Sequence, residues 1–158
     1  MKLNLPEYHF NIRTNQAGKN EIFDDFRKKF VIVTPEEWVR QNFLRYLKEE
    51  KQYPAMLMSI EKGIIVNNMK KRFDAVIHNR NGKAIMLIEF KSPSVKLSQK
   101  VMDQVSRYNL SLNVNYLIIS NGLVHYCCYV DQKTGSTSYF DEIPNFDMIN
   151  NLIKNSLH

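Results

Sequence analysis

The chain has 158 residues, 44% of them hydrophobic and 24% charged, with a formal net charge of +6. That length suits one domain with a sizeable core, and five glycines and five prolines are too few for a long disordered linker. A run of about 20 apolar residues is absent and Met1-Lys2-Leu3-Asn4 leads into Pro6-Glu7 rather than an apolar signal core, so the expectation is a cytoplasmic protein with no membrane partner.

The positive balance leans toward a polyanion, a lean shared by many basic proteins that bind no nucleic acid. Cys127 and Cys128 are adjacent on an expected strand, face opposite sides and read as structural thiols in a reducing compartment. Neither has zinc-site spacing, and with histidines only at 9, 78, 125 and 158 there is no His/Cys metal cluster in the pattern.

In chain order, residues 8–13 and 21–23 are extended patterns around a turn-prone stretch, Asn15 to Asn20, and predict a small hairpin arm. Arg27-Lys28-Lys29 follows Asp24 and Asp25 and reads as a locally balanced surface. Thr34-Pro35-Glu36-Glu37 is a helix start, with Thr34 as N-cap, Pro35 first in the helix and Glu37 completing a capping box. The helix should reach Glu50, burying Val39, Phe43, Tyr46 and Leu47, with Trp38 as core. Glu37 also admits a reading as a metal ligand, although spacing alone favours the cap.

Residues 56–60 and 63–66 read as neighbouring strands, and Asn67-Asn68 as a turn. Residues 71–91 then form a β-hairpin around Asn81-Gly82, the pair that a two-residue type I′ turn favours. If Arg80 faces Lys83, Ile77 meets Met86 and Asp74 lies opposite Glu89. Lys91 shares their face, while Phe73, Ala75, Ile77, Met86, Ile88 and Phe90 form an apolar layer on the other.

Two carboxylates opposed across a sheet repel, so they stand in water or share a cation. With Lys91 beside them they suit Mg²⁺-assisted phosphodiester hydrolysis; the plain alternative is a surface ion pair. Glu-x-Lys alone carries little weight, and only the context of an apolar strand end with an acid opposite distinguishes Glu89-Phe90-Lys91.

Residues 98–112 carry a helical stripe of Val101, Val105, Tyr108 and Leu112, with Gln104 one turn before Tyr108. Residues 114–120 read as a strand buried on both faces and parallel to a core strand, followed by strands at 125–130 and 138–140 and a helix at 146–157. The expected architecture is α/β (α+β), with an arm over residues 1–33, a core over 34–130 and a C-terminal strand and helix over 131–158.

The hairpin resembles the PD-(D/E)xK nuclease superfamily. The segments Glu21-Ile22-Phe23-Asp24 and Thr34-Pro35-Glu36-Glu37-Trp38-Val39-Arg40-Gln41 are similar to small bacterial proteins grouped with the type I restriction enzyme R-subunit N-terminal domain. The resemblance spans about residues 5–145 and implies a restriction-endonuclease-like mixed sheet flanked by helices, with an αβββαβ core. It implies Asp74 and Glu89 as ligands of Mg²⁺ or Mn²⁺, Lys91 as the residue that positions the attacking water, and Glu37 as a third acid. Gln104-Val105-Ser106-Arg107-Tyr108 matches a Gln-x-x-x-Tyr motif that implies Gln104 and Tyr108 near substrate. Lys70, Lys71, Arg72 and Arg107 are candidate phosphate contacts.

Phe73 stands where many members have proline. The chain also lacks a Gly-x-x-x-x-Gly-Lys-Ser/Thr loop, so ATP is not an expected ligand. The function implied is a DNA endonuclease related to restriction systems, acting alone, as a homodimer or with partner subunits. The alternative is a non-catalytic nucleic-acid-binding or subunit-interaction module that keeps the fold.

Overall fold

The computed structural model describes residues 1–61, 63–66 and 69–156; the side chains of a few further residues, among them Lys71 and Tyr108, lie outside the description. The Asn67-Asn68 turn also falls outside it. Strands β1 (Ile12–Thr14), β2 (Asn20–Asp24) and β3 (Lys29–Ile32) form an antiparallel three-stranded sheet, one strand more than the expected hairpin. The Asp24–Lys28 turn makes the difference: Asp24 accepts backbone N–H bonds from Phe26 and Arg27, and Lys28 takes a positive φ that reverses the chain.

Helix α1 (Pro35–Glu49) starts as expected, with Glu37 N–H donating to Thr34 Oγ1 at 3.0 Å. The return half of the capping box is missing, because the Glu37 carboxylate faces Arg27, Arg40 and Gln41 instead. Val39, Phe43, Leu44 and Leu47 are fully buried, whereas Tyr46 and Trp38 are only half-buried. Trp38 sits at the helix edge rather than in the core, where its Nε1–H donates to the Met1 carbonyl and its ring meets Phe10.

After a 3-10 turn, β4 (Met58–Ile60) joins the main sheet, and β5 (Gly63–Val66) leaves it to pair with β6 (Met69–Arg72). The expectation that β4 and β5 neighbour each other is therefore corrected: Glu61, at φ +52, turns the chain out of the sheet between them. β7 (Ala75–His78), β8 (Ala84–Phe90), α2 (Gln99–Leu112), β9 (Tyr116–Ser120), β10 (His125–Val130), β11 (Thr137–Tyr139) and α3 (Phe146–Ser156) complete the chain. Among the described residues the main sheet has the order β11-β10-β9-β8-β7-β4 and is antiparallel except between β8 and β9. This mixed sheet flanked by helices is the expected α+β architecture, and the parallel pair is the crossover through α2.

Two cores flank the sheet. α1 and α3 cover Ala75, Ile77, Met86, Ile88, Phe90 and Ile118, while Met102 and Val105 of α2 cover Val76, Leu87, Leu117 and Ile119. Cys127 and Cys128 are free thiols, one in each core, where burial raises both. Phe73 joins the α2 layer rather than the layer of Ala75 and Ile77, because Phe73 and Asp74 fall between β6 and β7 and the strand alternation lapses there. No described helix is long and apolar enough to cross a membrane.

Candidate active site

The register that brings the two acids together arises by an unexpected route. Asn79 N–H donates to Lys83 O and Gly82 N–H to Asn79 O, which makes a three-residue loop with Gly82 at φ +82 in place of a two-residue type I′ turn. Asn79 Oδ1 also accepts from the Asn81 and Lys83 N–H groups. The loop alone would shift the pairing by one residue. A bulge between Ile77 and His78 shifts it back, so Ile77 still pairs with Met86 and Ala75 with Ile88. Asp74 therefore arrives beside Glu89, whose carboxyl group feels the Asp74 charge.

Asp74 is held from two sides. Its Oδ2 accepts the Phe90 N–H at 2.7 Å, and its Oδ1 accepts from Arg40 Nη2 at 2.8 Å. Arg40 is 5% exposed and also pairs with Glu37, with Glu36 at 3.7 Å and Glu61 at 3.8 Å. Arg27 meets Asp24, Glu37 and, at 3.1 Å, Glu61. Arg27 is thus part of a partly buried network rather than of a solvated basic surface. Burial opposes ionisation of Asp24, but the Arg27 backbone N–H and guanidinium and the Phe26 N–H outweigh it and hold the carboxyl below its ordinary range.

Glu89 lies on the other side. Burial, then the Asp74 carboxylate beside it, push its carboxyl from the ordinary 4.5 up to about 7, with Lys91 opposing and Glu36 adding a little. Lys91 makes no direct ion pair among the described residues, so the surface-ion-pair reading of the tripeptide is not the arrangement found. A cleft of about 330 Å³ opens here, lined by Arg72, Phe73, Glu89, Lys91, Val101, Gln104 and Val105.

The structure thus brings Asp74, Glu89, Lys91, Gln104 and Arg72 to one place. Arg107 is exposed on α2 one turn beyond Gln104, and α2 carries Tyr108. Glu37 does not reach that cleft, because both its oxygens are engaged by arginines and Gln41. Arg40 as the centre of the network was missed, together with Asp24, Arg27, Glu36 and Glu61. One signal was available: Glu37, Arg40 and Gln41 occupy positions of α1 that continue into Leu44, so three polar residues lie on the core-facing stripe.

A mixed sheet with helices on both faces, and acids gathered where its central strands end, defines an α+β domain with a candidate site at one sheet end. The chain belongs to the family described as type I restriction enzyme R protein N terminus, whose model matches residues 35–144. Its fold is similar to that of a solved fragment of a putative HsdR subunit of a type I restriction enzyme from Vibrio vulnificus YJ016, with a TM-score of 0.57 and 17% identity. That match covers 78% of this chain and 26% of the other. No curated protein matches the chain.

Proposed function

We propose that this domain is a metal-dependent nuclease that hydrolyses phosphodiester bonds in DNA, with Asp74, Glu89 and Lys91 as its centre. The observation that carries the reading is the pair of neighbouring carboxyl groups, Asp74 and Glu89, beside a cleft that Glu89 lines together with Lys91 and Gln104. Among the described residues no three His, Cys, Asp or Glu side chains converge on one point. Two carboxylates nonetheless fit Mg²⁺, which is commonly held by one or two acids, waters and substrate phosphates. Burial and the neighbouring Asp74 carboxylate both disfavour charge on Glu89, and a hard cation held between the two acids would offset both.

Bound there, Mg²⁺ or Mn²⁺ supplies Lewis-acid polarisation of a phosphate and a more acidic water. The chain's own residues do the rest. Arg40 and the Phe90 N–H fix the Asp74 carboxylate, and Glu37 holds Arg40, so Glu37 serves as a positioning residue rather than a ligand. Lys91, without an ion pair among the described residues, offers its ammonium to the attacking water and to negative charge developing on the phosphate. Gln104, Tyr108, Lys71, Arg72 and Arg107 serve the substrate strand. Partner subunits of a restriction complex, or a second copy of the chain, are the natural protein partners, and cleavage by this chain needs no ATP site of its own.

The test is incubation of plasmid, linear and single-stranded DNA with the protein and Mg²⁺ or Mn²⁺, beside Lys91→Ala and Glu89→Gln. The expected result is cleavage that falls by about 10²-fold or more in each variant. Cleavage unchanged in both would remove the assigned site. DNA binding without cleavage under any metal would replace this reading with the non-catalytic module, for which the double clamp on Asp74 is the structural argument.

A further inference from the structure

Between Ile60 and Asp74 the chain leaves the main sheet as the β5–β6 ribbon, whose strands, among the described residues, hydrogen-bond only to each other from Gly63↔Arg72 to Val66↔Met69. A two-stranded ribbon is marginal by itself, and its open edges invite pairing with other chains. This one is strongly charged: β6 reads Met69-Lys70-Lys71-Arg72, and no acid occurs from residue 63 to 72. Lys70 is exposed, and the Arg72 side chain is 69% exposed. Gly63 leaves room for Lys70 to cross the ribbon, since a Cβ there would lie 2.9 Å from Lys70 Cε.

The root of the ribbon is built into the candidate site. Glu61, at the start of the excursion, donates its N–H to Asp74 O, bonds Arg72 at 2.9 Å and reaches Arg27. At the other end β6 runs through Arg72 and Phe73, both lining the cleft, directly into Asp74. A cationic arm so rooted carries its charge to the rim where a phosphate would be attacked.

We propose that the β5–β6 ribbon is an arm for double-stranded DNA that lies in a groove, the Lys70-Lys71-Arg72 run supplying its positive charge and its root directing one phosphate toward Asp74 and Glu89. This rests on the nuclease reading above and names its substrate as the duplex. Paired strands lie about 4.8 Å apart, and the major groove, about 12 Å wide, admits a two-stranded ribbon.

The experiment measures binding by fluorescence anisotropy in EDTA, so that cleavage plays no part. The full chain is titrated with a duplex of about 20 base pairs, and with one of its strands, over about 50 to 200 mM salt. Lys70→Ser with Lys71→Ser is compared with Lys19→Ser plus Lys133→Ser, which removes the same charge from two exposed turns away from the ribbon. Lys70→Arg with Lys71→Arg is the conservative pair.

The ribbon serine pair is expected to weaken duplex binding roughly tenfold and to reduce the salt slope by about two, with the control pair near the unmodified protein and the arginine pair retaining affinity. Equal losses in ribbon and control pairs, an absence of duplex binding, or tighter binding of the single strand would overturn the proposal. Ribbon-dependent duplex binding in a protein that cuts nothing supports the arm while refuting the nuclease.

Discussion

Asp74 stands between two groups of charged side chains that use the same residue types to opposite ends. On the α1 side, Asp24, Glu37 and Glu61 are matched by Arg27 and Arg40, and the Asp24 carboxyl is held below its ordinary range. On the cleft side, half-buried Glu89 meets another acid, with Lys91 opposing only in part, and its carboxyl rises to about 7. Burial is the largest influence on both acids and opposes charge in both, so the difference lies in whether a cation has been built in. The matched side is framework. The unmatched side, next to a cleft, is where an external cation and substrate have something to gain.

The sharpest way to break this comparison is Arg40→Met. It removes the cation from Asp74 and leaves Glu37 with Arg27 alone, and unpairing a buried ion costs about 3–5 kcal/mol. Urea unfolding should show that loss; a change below about 1 kcal/mol would mean that the network is not framework. Asp24→Asn should cost less, on the order of 2 kcal/mol near pH 7. Because the folded Asp24 carboxyl is depressed, its contribution is present above the unfolded pKa and is lost as pH falls through the folded one, so variant and parent should converge in acid.

Glu89→Gln should act in the opposite direction. A carboxyl raised from 4.5 to about 7 favours the folded state below 4.5, and that advantage is lost as pH rises through 7. At pH 8 and without metal the glutamine should therefore stabilise the fold, by on the order of 2 kcal/mol, with the gain vanishing below about pH 5. Excess Mg²⁺ or Mn²⁺ should raise the Tm of the parent protein by a few degrees and leave that of Glu89→Gln unmoved. A glutamine variant less stable at pH 8 would show that Glu89 is structural. The smallest effect is expected at Gly82→Ala, about 1 kcal/mol from a side chain at positive φ, measurable as a Tm shift that leaves the Asp74 and Glu89 pairing intact.

Much of the fold was legible because its signals are local. The Thr34 cap, the α2 stripe and the apolar run ending at Ser120 each follow from a side-chain period or a capping atom, and β9 lies parallel to β8 as a crossover requires. The Asp74 and Glu89 pairing was also legible, although the turn assumed for it was wrong and the bulge at Ile77 cancelled the error. What escaped was the arginine network. Arg27 and Arg40 come from separate elements, and nothing in the spacing from Asp24 to Glu61 states that a β-turn, a helix start and a strand end meet there.

By itself the sequence determined the three helices, the strands from β7 to β10 and most of their apolar faces, and that an acid, a second acid and a lysine sit at the end of one hairpin. Only the tertiary structure decided which acid has a resident cation. Ion pairing depends on distances across elements far apart in the chain, and the same glutamate is a cap, a ligand or a brace according to the arginine that reaches it first.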